Sequence, residues 1–228
     1  MPNSAPDLLP ARPGKPGSWS PDRIMQVFNV SRETLDLLEE YVETLRVWQR
    51  RVNLVGNSTL EDVWGRHVAD CLQLINHAPD AARTWVDLGS GAGFPGIVLA
   101  IVLRNRPEFK MHLVDSNGRK CAFLRTVCLG LKIPAYVHHA NIESLSGSVE
   151  YPRGDVVTAR ALAPLGRLIP LALPFMWKRS VLLLPKGRDV ESELTQAAIS
   201  STFNVERIQS VIEPAATILR IERRGDGG

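Results

Sequence analysis

The stretch Thr84–Leu103, TWVDLGSGAGFPGIVLAIVL, decides the fold class. It begins with a short apolar run, Trp85–Leu88, which predicts a buried β-strand. It ends with Ile97–Leu103, an apolar segment suited to a helix packed against a sheet. Between them lie four glycines within eight residues: Gly89, Gly91, Gly93 and Gly96. Because glycine allows tight turns and close approach to a ligand, the order strand, glycine turn and helix predicts a nucleotide-binding loop, with Pro95 in the first turn of the helix.

Two kinds of nucleotide ligand fit this glycine spacing. Gly91, Gly93 and Gly96 satisfy G-x-G-x-x-G, the dinucleotide fingerprint. Asp87, followed by Gly89, Gly91 and Gly93, satisfies D-x-G-x-G-x-G, the loop of S-adenosylmethionine (SAM) methyltransferases. The aspartate favours SAM, because a carboxylate there can lie near the ammonium group of the methionine part. The structural alternative is a glycine-rich turn without a ligand.

Length and composition set limits on the class of protein. The chain has 228 residues and 44% hydrophobic content, enough for one large α/β domain with an appended segment. The net charge of +3 is compatible with a nucleic-acid partner but does not require one. Cys71, Cys121 and Cys128 lack C-x-x-C spacing, which indicates a reducing compartment and no structural zinc. Without a membrane-length apolar run or a signal-peptide core, the sequence predicts a soluble, cytoplasmic protein.

We predict three parts: residues 1–18, a proline-rich tail that we expect to be disordered; residues 19–80, a helical segment; and residues 81–224, an α/β domain. Residues 225–228 are predicted to fray. The predicted helices of the second part are 21–28, 32–52 and 60–75. The predicted strands of the third part are 85–88, 111–115, 135–138, 155–159, 180–184, 205–210 and 215–221. The predicted helices between them are 97–103, 117–129, 165–176 and 189–200. Pro170 and Pro174 are expected to break the second half of the helix over 165–176.

The alternation of strands and helices predicts a mostly parallel, seven-stranded sheet covered by helices on both faces. The two final strands follow each other closely, so the last is predicted to be antiparallel. In open α/β sheets of this kind, ligands bind at the carboxyl ends of the strands. Residues just beyond each strand are therefore the candidates for the site.

Two polar groups precede the α/β part. The second helix changes from acidic residues to Arg46, Arg50 and Arg51 along its exposed faces. This pattern fits either a solvated surface or a basic edge for a phosphate backbone. The third helix carries Arg66, His67 and Asp70, which form either a packing cluster or part of a substrate site. One histidine and one carboxylate do not favour a metal site.

Four strand ends supply candidate ligand contacts. Asp115 ends the second strand, where a carboxylate can accept both hydroxyls of an adenosine ribose, or cap the following helix. After the third strand, Ile142 can pack on an adenine, and Glu143 can accept from its exocyclic amine or from ribose; the alternative is an exposed loop acid. Arg160 follows the fourth strand and can bind an anion, orient an acid or form a structural salt bridge. Lys186 and its neighbour Arg188 follow the fifth strand and can approach an RNA phosphate.

Two absences narrow the chemistry of a methyl transfer. The N/D-P-P-Y/F stretch of many exocyclic-amine methyltransferases would follow the fourth strand, where this chain has ARAL. A cytosine-C5 enzyme needs a cysteine nucleophile there, and none of the three cysteines occupies that place. Guanine N7 needs neither device, since it has a free lone pair and no proton to lose. Catalysis then reduces to proximity and alignment, so no catalytic residue is assigned.

Several motifs together resemble one known family. They are W-x-x-x-x-N-L (Trp48, Asn53, Leu54), R-H-x-x-D (Arg66, His67, Asp70), DLGSGAGFPGI, LVDSNGRKCAFLR, the IE pair, ARAL and PKG. From about Tyr41 to Ile221, the chain resembles the bacterial 16S rRNA (guanine-N7) methyltransferases, the RsmG family, also called glucose-inhibited division protein B. One departure is Phe94, which replaces a leucine of the family loop and keeps an apolar contact.

The resemblance implies a class I SAM-dependent methyltransferase fold with an N-terminal helical cap. It implies methyl transfer from SAM to N7 of one guanosine in the 16S rRNA of the 30S subunit. Apart from the resemblance, we predict a monomer and no metal. SAM contacts carry over to Gly89, Phe94, Ile142, Glu143 and Arg160. General methyltransferase logic adds Asp87, Gly91 and Asp115. Family motif positions with a less defined role, in RNA contact or in support of the cleft, are Arg66, His67, Asn53 and Lys186.

Three other functions remain open on the sequence. An NAD-dependent oxidoreductase would use Gly91, Gly93 and Gly96, and NADH rather than SAM would stabilise it. A non-catalytic RNA-binding or ribosome-assembly module would keep RNA binding without methyl transfer. A SAM enzyme acting on protein or small molecules is the third. The sequence also leaves open whether the substrate is naked rRNA, a partly assembled particle or the mature subunit.

Overall fold

A computed structural model of the chain describes residues 19–145, 151–197, 199 and 202–224. Both predicted tails, 1–18 and 225–228, lie outside these residues. The sheet has seven strands in the order β3-β2-β1-β4-β5-β7-β6. The strands are β1 (Thr84–Leu88), β2 (Lys110–Asp115), β3 (Ala135–His139), β4 (Gly154–Ala159), β5 (Met176–Lys186), β6 (Phe203–Gln209) and β7 (Thr217–Arg223).

The strand directions confirm the predicted fold class. β1 pairs in parallel with β2 and β4, β2 with β3, and β4 with β5. The last strand, β7, lies antiparallel between β5 and β6. The carboxyl ends of β1 to β5 therefore meet at one edge of the sheet, where the predicted ligand residues follow. We call this edge the carboxyl edge and the opposite one the amino edge.

Helices cover both faces of the sheet. They are α1 (Pro21–Phe28), α2 (Arg32–Gln49), α3 (Asn57–Leu60), α4 (Asp70–Leu72), α5 (Gly96–Leu103), α6 (Gly118–Leu131), α7 (Ile142–Leu145), α8 (Leu165–Ala172) and α9 (Val190–Ala197). Ser20 and Ser31 cap α1 and α2 by accepting from Arg23 N and Thr34 N. Residues of α1, α2, α5 and α6 share one apolar core, and residues of α8 lie in the other. The boundary between residues 80 and 81 stays a prediction, because the first core includes residues from both sides.

The prediction of one helix over 60–75 is wrong. α3 ends at Leu60, where the prediction begins, and it is followed by a π-helical turn (Trp64–Ala69), α4 and a 3₁₀ turn (Gln73–His77). In a continuous α-helix, Arg66 O would accept from Asp70 N. Here Arg66 O accepts from Arg160 Nη2 at 2.7 Å, and Asp70 N bonds instead to His67 O and Val68 O. A hydrogen bond from a distant side chain has therefore replaced the backbone hydrogen bond of a regular α-helix at Arg66 O. Hydrophobic periodicity in the sequence does not reveal such a contact.

The predicted helix over 165–176 is also too long. α8 ends at Ala172, and Leu173–Phe175 form a 3₁₀ turn that contains Pro174. Met176 already belongs to β5, which is longer than the predicted 180–184. Proline removes a backbone donor and ends regular helix here, whereas Pro170 is accommodated inside α8. The other predicted elements differ from the observed ones by a few residues at their ends, except that the predicted end of the helix over 189–200 lies partly outside the described residues.

Among the described residues, no helix combines the length and apolar character that crossing a membrane would require.

Candidate active site

The glycine loop leaves β1 at the carboxyl edge. Gly89, Gly91 and Gly93 have φ values of +69°, +57° and +91°, a region that side chains with a Cβ rarely adopt. Gly89 N and Ser90 N both donate to Val114 O of β2, at 2.8 and 3.1 Å. A Cβ on Gly89 would lie 2.7 Å from Leu162 Cδ1. The loop therefore forms a close-fitting backbone surface that a side chain would fill.

Asp87 lies beneath this loop and supports it. Its side chain is buried, with Oδ1 accepting from Thr158 Oγ1 at 2.8 Å and Oδ2 accepting from Gly96 N at 3.2 Å. Burial raises the pKa of Asp87 to about 6, although the Thr158, Ser90 and Gly96 hydrogen bonds act in the opposite direction. Asp87 thus joins the start of α5 to β4.

Asp87 gives a testable pH dependence of stability. The pKa of the Asp87 carboxyl is ordinarily 3.8 and is raised to about 6 in the folded protein. The folded chain therefore binds this proton more tightly than the unfolded chain does. The contribution of Asp87 to the free energy of unfolding is therefore largest below pH 4. It falls by about 3 kcal/mol as the pH rises to above 6, at about 1.4 kcal/mol per pKa unit.

We expect Asp87→Asn to remove this fall in the free energy of unfolding, because asparagine does not titrate. The Tm of the variant minus the Tm of the wild type should rise between pH 4 and pH 6.5 and then level off. Thermal unfolding of both proteins at half-unit pH steps measures this difference, and the effects of all other carboxylates cancel. A difference that stays constant across the range would contradict the raised pKa.

Asp115 connects the glycine loop to the start of α6. Its Oδ2 accepts from Gly91 N at 2.8 Å, and its Oδ1 accepts from Asn117 N at 2.7 Å. Asn117 is the N-cap of α6, since its Oδ1 accepts from Arg119 N and Lys120 N. Asp115 therefore orders the loop from the end of β2, and it also lines a cavity at the carboxyl edge.

This first cavity, of about 500 Å³, lies at the carboxyl edge beside the glycine loop. Its lining brings together four of the predicted SAM contacts: Gly89, Asp115, Ile142 and Glu143. Ile142 is almost fully buried, and Glu143 Oε1 accepts from Arg167 Nη2 at 2.8 Å. Lys120, Leu162 and Arg167 also line it and were not predicted. Lys120 lies in the LVDSNGRKCAFLR motif quoted above, and that motif is the sequence feature from which it could have been predicted.

A second, larger cavity of about 740 Å³ adjoins the first, and Ala161, Leu162 and Ala163 line both. Arg160 lines the second cavity only, where its Nη2 lies 3.4 Å from Asp70 Oδ2. Burial raises the pKa of Asp70, and the charge of Arg160 opposes this. Arg160 Nη1 is buried and has no hydrogen-bond acceptor among the described residues. An unsatisfied buried cationic donor of this kind favours an anionic ligand.

Lys186 also lines the second cavity, but its ammonium group is ion-paired with Glu193. Its Nζ lies 2.7 Å from Glu193 Oε2 and 3.5 Å from Ala163 O, and only 11% of its side chain is exposed. Glu193 Oε2 in turn accepts from Leu165 N at the start of α8. Lys186 therefore braces the wall of the cavity, whereas Arg66 and Arg188 lie exposed along its lining.

His67 and Phe94 stack beneath the glycine loop. Their ring centroids are 4.5 Å apart at 13°, and Tyr41 meets the same Phe94 ring edge-on at 5.4 Å. Burial lowers the pKa of His67 to about 3, with smaller effects from Arg160 and Arg66, so the ring is neutral at pH 7. Neither ring nitrogen has a hydrogen-bond partner among the described residues. Phe94 and His67 do not line either cavity, and neither does the exposed Asn53, whose Oδ1 lies 3.5 Å from Gln49 Nε2.

Tyr41 ties the N-terminal helices to the glycine loop. Its buried hydroxyl donates to Ala92 O at 2.6 Å, so Tyr41→Phe leaves that carbonyl without its partner. We expect the free energy of unfolding to fall by about 1–2 kcal/mol and the SAM affinity to fall severalfold. Tyr136→Phe is the matched control, because Tyr136 is half exposed on β3. Chemical denaturation and calorimetric SAM titration measure both effects; equal behaviour of the two variants would contradict the tie.

The chain is similar in sequence to one family of known proteins. The family model described as "GidB: rRNA small subunit methyltransferase G" matches residues 34–218. The chain is 48% identical over 193 residues to "Ribosomal RNA small subunit methyltransferase G" of Parvibaculum lavamentivorans, covering 85% of this chain and 84% of the relative. It is 49% identical over 194 residues to the protein of the same name from Rhodospirillum centenum, covering 85% and 86%.

Solved structures show the same fold at low sequence identity. A putative O-methyltransferase from Klebsiella pneumoniae has a TM-score of 0.56 at 11% identity, covering 82% of this chain and 90% of that one. The ribosomal protein L11 methylase of Lactobacillus delbrueckii subsp. bulgaricus has a TM-score of 0.55 at 16% identity, covering 75% and 81%. A cofactor-bound protein from MTB has a TM-score of 0.65 at 12% identity, covering 93% and 100%.

The family model spans both the helices that hold the glycine loop and the strands that form the two cavities. Its match and the identities of the relatives agree with the motif set quoted from the sequence. The chain therefore belongs to the family of GidB, rRNA small subunit methyltransferase G, and is a SAM-dependent methyltransferase.

Proposed function

We propose that this protein transfers a methyl group from SAM to N7 of one guanosine in the 16S rRNA of the small ribosomal subunit. The observation that carries the proposal is the pair of cavities that meet at Ala161, Leu162 and Ala163. One cavity has Gly89 of the SAM-type glycine loop in its wall. The other is lined by the exposed cations Arg66 and Arg188, beside ion pairs and further acidic residues. The names of the relatives, rRNA small subunit methyltransferases, support RNA as the acceptor.

The residues of the first cavity fit SAM. Gly89 offers a backbone surface without a side chain, and Asp115 offers carboxylate oxygens to the ribose. Gly91 supports the site from behind, because its N–H donates to Asp115 Oδ2. Ile142 offers an apolar contact for the adenine, and Glu143 an acceptor for its amine or for the ribose. When bound, SAM supplies an electrophilic methyl group on a sulfonium sulfur.

Three further predicted contacts fit supporting roles around that cavity. Arg160 lines the second cavity next to Ala161, where the two cavities meet, and its guanidinium is the cation that a carboxylate, such as that of a methionine, would approach there. Asp87 and Phe94 hold the glycine loop from beneath, through Gly96 and through the His67 and Tyr41 rings. We propose that these three residues position the cofactor, with Arg160 in direct contact.

Methylation of guanine N7 does not require a general base from the protein. Guanine N7 presents a lone pair and loses no proton, so the enzyme must align two reactants and exclude water. We propose that the second cavity receives the guanosine. The neutral His67 and the paired Asp70 and Arg160 add little net charge beside a cationic methyl donor.

The proposed RNA contacts differ in their exposure. Arg66 is exposed and lines the second cavity, so it can meet a phosphate directly. Lys186 and His67 support the cleft from within, since one is ion-paired and the other is buried. Asn53 is exposed after α2, near the basic residues Arg50 and Arg51 in the chain. We further propose that the enzyme works as a monomer in the cytoplasm, where small subunits assemble.

Methyl transfer from radiolabelled SAM tests the proposal. The acceptors are 30S subunits and protein-free 16S rRNA, both from cells that lack this enzyme. We expect label in RNA from at least one acceptor, and we expect SAM but not NADH to raise the Tm of the protein. Measurable SAM binding with no label in either acceptor would overturn the rRNA assignment, and protection by NADH alone would favour an oxidoreductase.

A further inference from the structure

A groove of about 670 Å³ lies at the amino edge of the sheet, opposite the two cavities. It forms where β4 and β5 begin and where the antiparallel β7 ends. We call it the amino-edge groove, and its main lining residues are Tyr151, Arg153, Trp177, Lys178, Arg223 and Arg224. Trp177 and Lys186 are nine residues apart on β5, so the groove lies about 30 Å from the second cavity along an extended strand.

The groove is strongly cationic. Arg153, Lys178, Arg223 and Arg224 line it, and no described lining residue is an aspartate or glutamate. Two acids close to the groove residues in the described part of the chain, Asp155 and Glu222, already have partners. Asp155 Oδ2 accepts from Arg83 N and Thr84 N, and Glu222 Oε1 pairs with Arg220 at 2.8 Å. For a chain of net charge +3, four cations in one groove are a local concentration of positive charge that suits a polyanion.

Aromatic rings hold part of this charge in place. The Arg153 guanidinium lies 5.4 Å from the Tyr151 ring centroid and 5.2 Å from that of Trp177, and its Nη2 donates to Tyr151 Oη. Trp177 is 50% exposed, which is unusual for a side chain of its size. A half-exposed indole beside an ordered arginine offers a stacking surface for a base next to a contact for a phosphate.

We propose that the amino-edge groove is a second RNA-binding surface, which takes a single-stranded or looped RNA segment through phosphate contacts and stacking on Trp177. The inference rests on the proposed function, because the methylated rRNA is the polyanion that the enzyme must meet. The segment would lie well away from the target nucleotide, so the groove would increase affinity for the folded RNA without touching the reacting atoms.

A double charge reversal tests the phosphate contacts. Arg153→Glu with Lys178→Glu changes the groove, and Lys110→Glu with Lys132→Glu is the control, with the same charge change at the same sheet edge. The probe is protein-free 16S rRNA from cells that lack the enzyme, titrated over a range of KCl concentrations. We expect the groove variant to bind at least tenfold more weakly at low salt than the control. Its plot of log K against log salt should be shallower by about 1.5, at about 0.7 per lost single-strand phosphate contact.

Kinetics separate this role from the active site. For the groove variant, KM for the RNA should rise about tenfold, while kcat and the SAM affinity stay within twofold of wild type, which also confirms that the variant is folded. Equal RNA affinity and equal salt slope in the groove and control variants would overturn the proposal. A loss seen with 30S subunits but not with naked rRNA would also overturn it, in favour of a ribosomal protein as the partner.

Trp177→Ala tests the stacking independently and avoids charge reversal. We expect RNA affinity to fall about tenfold with an unchanged salt slope, because stacking releases no counterions. Tyr136→Ala, at the similarly exposed Tyr136 of β3, should bind RNA like wild type. Wild-type affinity in Trp177→Ala would overturn the stacking contact. Failure of the wild-type protein itself to bind RNA would count against the proposed function rather than against the groove alone.

Discussion

Replacing Gly89 with aspartate is expected to abolish methyl transfer by lowering the SAM affinity at least about 100-fold, which corresponds to about 2.7 kcal/mol. Two effects add. A residue with a Cβ at φ +69° is strained by about 1–2 kcal/mol. Its Cβ would also lie 2.7 Å from Leu162 Cδ1, so Leu162, which lines both cavities, must move. Calorimetric SAM titration and the radiolabel assay measure the loss.

Gly130→Asp is the control for this change. Gly130 lies in α6, and a Cβ there would have no heavy atom within 4 Å. We expect this variant to bind SAM and transfer methyl groups like wild type. A Gly89→Asp protein that is folded and binds SAM within threefold of wild type would show that the cofactor does not use the glycine loop.

Replacing Asp115 with alanine should weaken both the fold and the binding of SAM. The change removes two charge-assisted hydrogen bonds, from Gly91 N and Asn117 N, each worth about 1.5–3 kcal/mol. It also removes the carboxylate that we propose for the ribose. We expect the Tm to fall by several degrees and the SAM affinity of the folded protein to fall at least about 100-fold, since each tenfold is only 1.4 kcal/mol.

Asp155→Ala separates stability from binding. Asp155 Oδ2 also accepts from two backbone donors, Arg83 N and Thr84 N, but at the amino edge of the sheet. This variant should lose comparable stability while its folded fraction keeps the wild-type SAM affinity. If both variants lose stability alike and neither loses SAM affinity, Asp115 supports the loop but does not contact the cofactor.

The sequence was sufficient for features that depend on neighbours in the chain. The glycine loop between β1 and α5 was predicted because apolar run, glycines and second apolar run follow each other directly. Asp115, Ile142 and Glu143 were predicted because parallel strands place their carboxyl ends at one edge, and the structure gathers all three around one cavity.

Features that depend on distant residues were not predictable in this way. The hydrogen bond from Arg160 to Arg66 O interrupts a stretch that looks helical in sequence, and its donor lies 94 residues further along the chain, directly after β4. The ion pair of Lys186 with Glu193 joins β5 to α9, and it too was not predicted, because its partner lies on a different element. The amino-edge groove joins the ends of β5 and β7 with residues before β4, and no local pattern marks that association.

The most direct test of the proposed function is the chemical position of the transferred methyl group. Labelled RNA from the wild-type reaction is reduced with borohydride and cleaved with aniline, which breaks the chain at N7-methylguanosine. We expect one new cleavage site at a guanosine, absent from RNA treated with Gly89→Asp protein. Labelled RNA that resists this cleavage, or that is cleaved at many guanosines, would contradict methylation of a single guanine N7.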